Sequence, residues 1–195
     1  NQLEAELSAR SAAFRARARA VTPEAIQTLL PADSVLIEFA LYRPYTTPAN
    51  PPSAAHYAAY ILSSQGLRWI ELGEATAIDQ AAATWRQALR ARNDPDLPKL
   101  ARIVDEKIMQ PLRPLLNNAQ HLLISPAGAL NFIPFAALTD QNNRYLIEQY
   151  EISYLTSGRD LLRLQVARTS QSEPLIIADP IFGEPKGELL AKAGN

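Results

Sequence analysis

The chain has 195 residues, of which 47% are hydrophobic and 20% are charged. These values are ordinary for a soluble globular domain, and the length suits one domain, or one domain and part of another. The formal net charge of −1 gives no electrostatic reason to expect nucleic acid or an anionic membrane as a partner. The lack of cysteine excludes disulfides and thiolate metal sites.

Targeting signals are not visible in the sequence. No apolar run approaches the length of a membrane span, and the start of the chain does not resemble a signal peptide. We therefore expect a cytoplasmic protein. Because the sequence begins at Asn1 without a methionine, we also expect a piece of a longer polypeptide.

Residues 1–30 are expected to form an N-terminal helical segment. Within Gln2 to Ala20, an apolar stripe of Leu3, Leu7 and Phe14 has helical spacing and is interrupted at Arg10. The arginines of this stretch are interpreted as a solvated face on a helix that connects to an upstream repeat array, with a binding patch as the alternative.

The next stretch predicts a short helix and three strands. Thr22-Pro23 is a typical helix start, since Thr is a favoured N-cap and Pro a favoured first helical residue. Ser34 to Tyr42 alternates in a way that predicts a strand. Arg43 to Ala55 contains four prolines and predicts a surface loop. His56 to Ser63 and Leu67 to Leu72 then predict an antiparallel hairpin with a tight turn.

Two helices lead to a buried strand in the middle of the chain. Glu74 to Arg92 and Leu97 to Gln110 carry apolar residues at helical spacing and provide a crossover over one sheet face. His121 to Ile124 is too short for a helix and predicts a buried strand, followed by a turn in which Gly128 takes a positive φ. A short helix is predicted at Phe135 to Leu138.

The remaining elements complete a mixed sheet. After a polar turn at Thr139 to Asn143, Tyr150 to Leu155 predicts a strand and Ser157 to Ala167 a helix. Pro174 to Ala178 is apolar on both faces, which predicts a central strand. Beyond Gly183 the chain is polar and small. Together the elements predict an α/β fold of three layers around a mixed, partly parallel sheet.

Several stretches of this sequence resemble the CHAT family. They are HLLISPAGALNFIPFAAL (His121 to Leu138), YLIE (Tyr145 to Glu148), YEISYLTSGRDLL (Tyr150 to Leu162), LLPADSVLIEFALYRPY (Leu29 to Tyr45) and PLIIADPIFG (Pro174 to Gly183). CHAT domains are caspase-like modules often found after tetratricopeptide repeats, and they are similar to the cysteine peptidases that include caspases and separase. The resemblance implies a caspase-like domain over residues 31–183, after the helical segment at 1–30 and before a tail at 184–195.

The resemblance implies a cysteine peptidase with a His/Cys dyad, but it assigns no catalytic residue here. A thiolate nucleophile needs a cysteine, and nothing in this chain matches the His-Gly or Ala-Cys catalytic motif. What is present resembles the N-terminal part of a CHAT domain. In separase-like relatives that part is a catalytically silent half that supports the active one. We therefore expect no catalytic, cofactor-binding or metal-binding residue in this chain.

Three residues are nevertheless candidates for chemistry. Ser125 follows a strand as a nucleophile would, but its context is not Gly-x-Ser-x-Gly and Pro126 supplies no N–H, so it is interpreted as a turn-forming serine. His121 is interpreted as a hydrogen-bonded structural residue at the start of a buried strand. His56 is expected to be partly exposed.

The acidic residues give no metal-binding pattern. Gly158-Arg159-Asp160 at a helix N-terminus could bind an anion, but Asp160 already supplies a negative charge there, so capping is the favoured interpretation. Asp140, Asp160 and Asp179 lack metal-ligand spacing. Two glutamates are expected at the rim of the fold: Glu148 and Glu151.

The sequence leaves more than one function open. The first is the non-catalytic N-terminal portion of a CHAT-type peptidase, with the missing C-terminal catalytic half and upstream tetratricopeptide-like repeats as partners. The second is an interaction or scaffold module without peptidase activity in the parent, and a third is a serine hydrolase that uses Ser125. An unpaired edge at Pro174 to Ala178 predicts either a homo-oligomer or a C-terminal tail that folds back over this edge. No cofactor, nucleic acid or membrane partner is expected.

Overall fold

The computed structural model describes residues 21–44, 54–91 and 94–165. The α-helices and strands of these ranges are α1 Pro23–Gln27, β1 Ser34–Tyr42, β2 His56–Ser63, β3 Gly66–Glu74, α2 Ala75–Ala88, α3 Leu97–Ile108, β4 His121–Ser125, β5 Glu151–Tyr154 and α4 Arg159–Leu164. The predicted helix at Gln2 to Ala20, most of the proline-rich loop, the strand at Pro174 to Ala178 and the tail lie outside the described residues.

The strands form one mixed sheet with the order β3-β2-β1-β4-β5. β1 pairs antiparallel with β2, and β2 antiparallel with β3, whereas β1 and β4, and β4 and β5, are parallel. α2 and α3 lie between β3 and β4 in the chain and supply the long connection that a parallel neighbour requires. The structure confirms the predicted α/β fold with its mixed, partly parallel sheet.

The β2–β3 hairpin is tighter and longer than the sequence predicted. Ser63 pairs with Gly66, so only two residues form the turn, and Gly66 has a φ of 111° that suits glycine. β3 therefore begins at Gly66 and continues to Glu74, beyond the Leu67 to Leu72 of the prediction.

One face of the sheet is covered by α2 and α3. The strands contribute apolar residues such as Ile37, Ile61 and Ile124, and the helices contribute Ile78 and Trp85, all almost completely buried. This cluster also includes residues of the segment after β4, so the predicted short helix near Phe135 packs into the core, as a 3₁₀ helix over Phe135–Ala137.

The opposite face carries a smaller apolar cluster under two short helices. Leu62 of β2, Leu36 of β1 and Leu123 of β4 lie side by side on neighbouring strands. Ile26 of α1 and Leu161 of α4 pack on them. Helices therefore cover both faces, which gives the three layers expected. None of the helices in the described ranges is long and apolar enough to cross a membrane.

α1 begins where the sequence predicted. Thr22 has extended backbone angles and its hydroxyl accepts a hydrogen bond from the N–H of Ala25 at 3.2 Å, while Pro23 opens the helix. The helix is only five residues long. At its far end, Gln27 Nε2 donates to the carbonyls of Ser63 and Ser64 at 2.8 and 3.0 Å, which fixes that end to the β2–β3 turn.

Candidate functional site at the carboxyl ends of the parallel strands

β1, β4 and β5 run in the same direction, so their carboxyl ends meet at one edge of the sheet. Open α/β sheets hold ligands and reactive groups at this edge. The loops that follow β4 at Ser125 and β5 at Tyr154 both lie there. The candidate site therefore comprises the side chains that shape these two loops.

Ser125 is buried and structural. It is the last residue of β4, it is 3% exposed, and its Oγ donates a hydrogen bond to the carbonyl of Thr156 at 3.0 Å. The prediction that Ser125 forms the turn is wrong by one residue, because it still pairs with Glu38 of β1. Its proton is donated to a backbone carbonyl, and none of the described residues bonds to it as a base, so Ser125 lacks among them the activation that a nucleophile requires.

The two histidines contact neither Ser125 nor each other. His121 lies at the amino end of β4 and its Nε2 is 2.9 Å from the hydroxyl of Ser153, which confirms the hydrogen-bonded role predicted for it. His56 is partly exposed, as predicted, and its Nδ1 is 2.6 Å from Glu71 Oε1. The hydrogen bond from His56 lowers the pKa of Glu71. Neither histidine therefore forms a catalytic pair with this serine.

The loop after β4 is fastened by a buried tyrosine of β2. Tyr57 is completely buried, and its hydroxyl donates to Asp79 Oδ1 at 2.7 Å and accepts from the N–H of Ala129 at 3.0 Å. Burial raises the pKa of Tyr57 to about 12, and the hydrogen bond to Asp79 adds to this shift. Gly128 has the predicted positive φ, 55°, and a Cβ there would overlap the Tyr57 hydroxyl. The loop is thus held in a single conformation.

Two carboxylates, those of Asp160 and Glu38, accept hydrogen bonds from the loop after β5. Asp160 accepts hydrogen bonds from the N–H and the hydroxyl of Thr156 and from the N–H of Ser157, and the Thr156 hydroxyl contributes most to lowering its pKa. The N–H of Gly158 donates to Glu38 Oε2 at 3.2 Å. The negative charge of Asp160 therefore lies at this helix start as predicted, but Gly158, not Ser157, is the N-cap residue, and the described residues form no side-chain cap hydrogen bond there.

A buried ion-pair cluster was missed in the sequence. Asp105 of α3 is 0% exposed and accepts two hydrogen bonds from Arg113, at 2.8 and 2.6 Å, and one from Arg102 at 3.1 Å. Burial by itself lowers the pKa of Arg113, but the hydrogen bonds and charge of Asp105 outweigh it, so the pKa is raised. The cluster ties α3 to the turn that follows it.

The polar turn after the core segment also contains a buried acid. Asp140 is 4% exposed and accepts from the N–H groups of Asn142 at 2.7 Å and Arg144 at 3.0 Å, and it pairs with the Arg144 guanidinium. Burial raises the pKa of Asp140, but these hydrogen bonds outweigh it, so the pKa is lowered. The pattern Asp-x-Asn is typical of a side chain that bonds its own backbone, which was the available sequence signal.

Asp140 lines a polar cleft of about 320 Å³, together with Arg102 and Arg113, the two arginines that bind Asp105. Three arginines face it, but their guanidinium groups already bind Asp105, Asp140 or neighbouring side chains. The cleft is therefore best described as a structural ion-pair network. Within the part of the chain that the structure describes, no group of three His, Cys, Asp or Glu side chains could hold a metal ion. Glu148 and Glu151 are exposed.

The fold and the site together define the class of this protein as an α/β module built on a mixed sheet. Among the described residues, the loops at the carboxyl edge of this sheet contain no activated nucleophile. A comparison with protein-family models matches residues 98–191 to the CHAT domain. This match, which covers slightly less than half of the chain, supports the resemblance to the CHAT family, a family of caspase-like peptidase modules. The match begins at α3 and includes β4, β5 and α4. No curated protein matches the chain.

Proposed function

We propose that this chain is the N-terminal, non-catalytic portion of a CHAT-type cysteine peptidase and is inactive by itself. The observation that carries the proposal is the CHAT match in a chain of 195 residues without a cysteine. A peptidase of this class attacks its substrate with a thiolate, and no residue here can supply one. Ser125 does not replace it, because its hydroxyl is buried and bonded to Thr156.

The domain of this proposal extends from residue 31 to residue 183, with a helical segment at 1–30 and a tail at 184–195. The pairing of β1 with β4 supports the early start, since it places Ser34–Tyr42 in the same sheet as the matched region. β2 and β3 extend that sheet on the other side of β1. The hairpin would thus belong to the domain although the family match begins at residue 98.

The geometry of the sheet edge favours a structural role in which this edge holds another part of the protein in place. The loop after β4 is fastened to β2 by Tyr57, and the loop after β5 is fastened to β1 by Glu38. Each loop is therefore held by a residue of a strand two positions away in the sheet, which suits a rigid platform. We propose that this platform positions a C-terminal catalytic half.

A second candidate is an interaction module whose parent has no peptidase activity. It is favoured by exposed apolar side chains around β5, where Tyr154 is 51% and Ile147 is 63% exposed. Among the described residues, β5 pairs with β4 alone. An open edge of this kind pairs readily with another strand, so this candidate includes a homo-oligomer and contact with upstream tetratricopeptide-like repeats. A cytoplasmic location belongs to both candidates.

The parent polypeptide distinguishes the two candidates. Its coding sequence beyond residue 195 is read, and the longer protein is produced and assayed for peptide cleavage. The first candidate predicts a His-Gly after one strand, a cysteine after the next, and cleavage that a Cys→Ala change abolishes. A parent without those motifs, or one whose cleavage survives the change, would overturn it in favour of the interaction module.

A further inference from the structure

The face of the sheet under α1 and α4 is only partly covered. On β2 and β3, Tyr60 pairs with Trp69 and Leu62 pairs with Leu67, so these four side chains lie on one face. Leu62 is buried, but Tyr60 is 42%, Leu67 49% and Trp69 63% exposed. Large apolar side chains grouped in this way mark a surface that another element covers.

A groove runs between α1 and these side chains, with a volume of about 320 Å³. Its floor is apolar, formed by Ile26, Leu36 and Leu62, and its rim includes Tyr60 and Leu67. We call it the β2–β3 groove. One acid, Glu38, also lines it. A helix that laid an apolar stripe on this floor would complete the layer that α1 and α4 begin.

We propose that residues 1–20 of this same chain dock in the β2–β3 groove as an amphipathic helix. Val21 and Thr22, which follow that segment directly, themselves line the groove. Thr22 has φ −115° and ψ 154°, so the backbone is extended there and α1 does not continue into the segment before it. No linker is needed, since the segment begins at the rim of the surface that it covers.

The position of α1 directs the segment toward the exposed side chains. Because Gln27 is bonded at the β2–β3 turn, the opposite end of α1 lies further along β2, near Tyr60. Twenty helical residues span about 30 Å, and three strands are about 10 Å wide from first to last. The segment is therefore long enough to cross the open part of the face.

The sequence of the segment matches the surface. At 100° per residue, Leu3, Leu7 and Phe14 lie within about 40° of one another on a helix. Arg10 falls on the same stripe, which would be costly against a wholly apolar floor. The groove supplies an acid, Glu38, and Glu71 lies on the same face beside Trp69.

The arginines outside the apolar stripe also favour docking of the segment in the groove. Arg15, Arg17 and Arg19 precede Val21 closely in sequence, and Val21 lines the same groove as Glu38, so the docked segment would bring positive charge toward this acid. A covalently attached segment also has an effective concentration of the order of mM, so a second copy of the chain would have to compete with it. The groove is thus assigned to the chain's own N-terminal segment.

Fluorescence of Trp69 in the full chain tests the assignment. Acrylamide quenching is measured for the unsubstituted 195-residue chain and for a Leu7→Ser/Phe14→Ser variant. The same chains with Trp69→Phe report Trp85 alone, and that signal is subtracted. Ala5→Ser/Ala12→Ser, on the opposite side of the same helix, is the matched control. We expect a severalfold rise in quenching for the first variant and none for the control. Equal quenching of Trp69 in all three chains would overturn the proposal.

A disulfide distinguishes the chain's own segment from a second copy, because the chain has no other cysteine. Phe14→Cys is combined with Leu67→Cys on the groove face or with Arg68→Cys, whose side chain points to the other face. We expect an intramolecular disulfide for the first pair, independent of protein concentration, and none for the second. Intermolecular disulfides alone, or no disulfide for the first pair, would overturn the assignment.

Discussion

The two tryptophans of the chain lie in opposite environments on the two sides of the sheet. Trp85 of α2 is 1% exposed within the large cluster, whereas Trp69 of β3 is 63% exposed beside Tyr60. The same residue type thus serves as core on one side and as open surface on the other. The closed face accounts for the stability of the described fold, and the open face is where further contacts are expected.

The largest expected effect is on the closed face. Trp85→Ala removes a fully buried side chain and should lower the free energy of unfolding by about 3–5 kcal/mol. Trp69→Ala should cost less than Trp85→Ala, because only the proposed contact with residues 1–20 covers its side chain, which is otherwise 63% exposed. Denaturant midpoints of the two variants provide the measurement. Equal losses would show that the two faces are not as different as the structure indicates.

The covered part of the open face should still behave as core. Leu123 lies under the short helices and is 5% exposed, so Leu123→Ala should cost about 2–5 kcal/mol. Gln141→Ala, in the exposed turn, should stay within about 0.5 kcal/mol. Chemical denaturation of both variants compares them directly. A Leu123→Ala chain as stable as Gln141→Ala would mean that α1 and α4 do not pack on β4.

Two adjacent acids on α3, on the closed side of the sheet, allow a buried ion pair to be compared with an exposed one. Asp105→Ala leaves Arg113 without its buried partner and should cost about 3 kcal/mol. Glu106→Ala removes an acid that is 51% exposed and pairs with Arg102 at 3.0 Å, so it should cost about 1 kcal/mol or less. Thermal melts at matched pH measure the difference. A larger loss for Glu106→Ala would contradict the assignment of Asp105 as the centre of the cluster.

The smallest effect expected is a pH dependence from Asp140. Its folded pKa is lowered, so its contribution to stability is present above the unfolded pKa of about 4 and is lost as pH falls through the folded pKa. The stability difference between the parent chain and Asp140→Asn should therefore shrink from pH 6 toward pH 3. Urea midpoints at several pH values show this. A difference that stays constant over the range would contradict the lowered pKa.

Much of the fold was predictable because strands and helices leave periodic patterns. The short apolar run at His121 to Ile124 predicted β4 closely, and the alternation of side chains at Ser34 to Tyr42 predicted β1. The resemblance to CHAT sequences supplied the family. The same periodicity predicted α3 but gave no sign of the pairing between Asp105 and Arg113, because that pairing depends on the turn after the helix.

The candidate site was harder to predict. Ser125 looked like a turn residue because Pro126 follows it, and only the register with Glu38 shows that it remains in the strand. The bond from Tyr57 to Ala129 joins residues 72 positions apart, which no local pattern reveals. Alternation predicted β3 as a strand, but it could not show that Trp69 faces a side that the described helices leave open.

The central claim is that this chain is a non-catalytic part of a CHAT module, and its own peptidase activity is the direct measurement. The purified 195-residue chain, Ser125→Ala and His121→Ala are each incubated with a diverse peptide library, and the products are read by mass spectrometry. We expect no cleavage activity that follows the protein through purification. Cleavage by the parent chain that either substitution abolishes would contradict it.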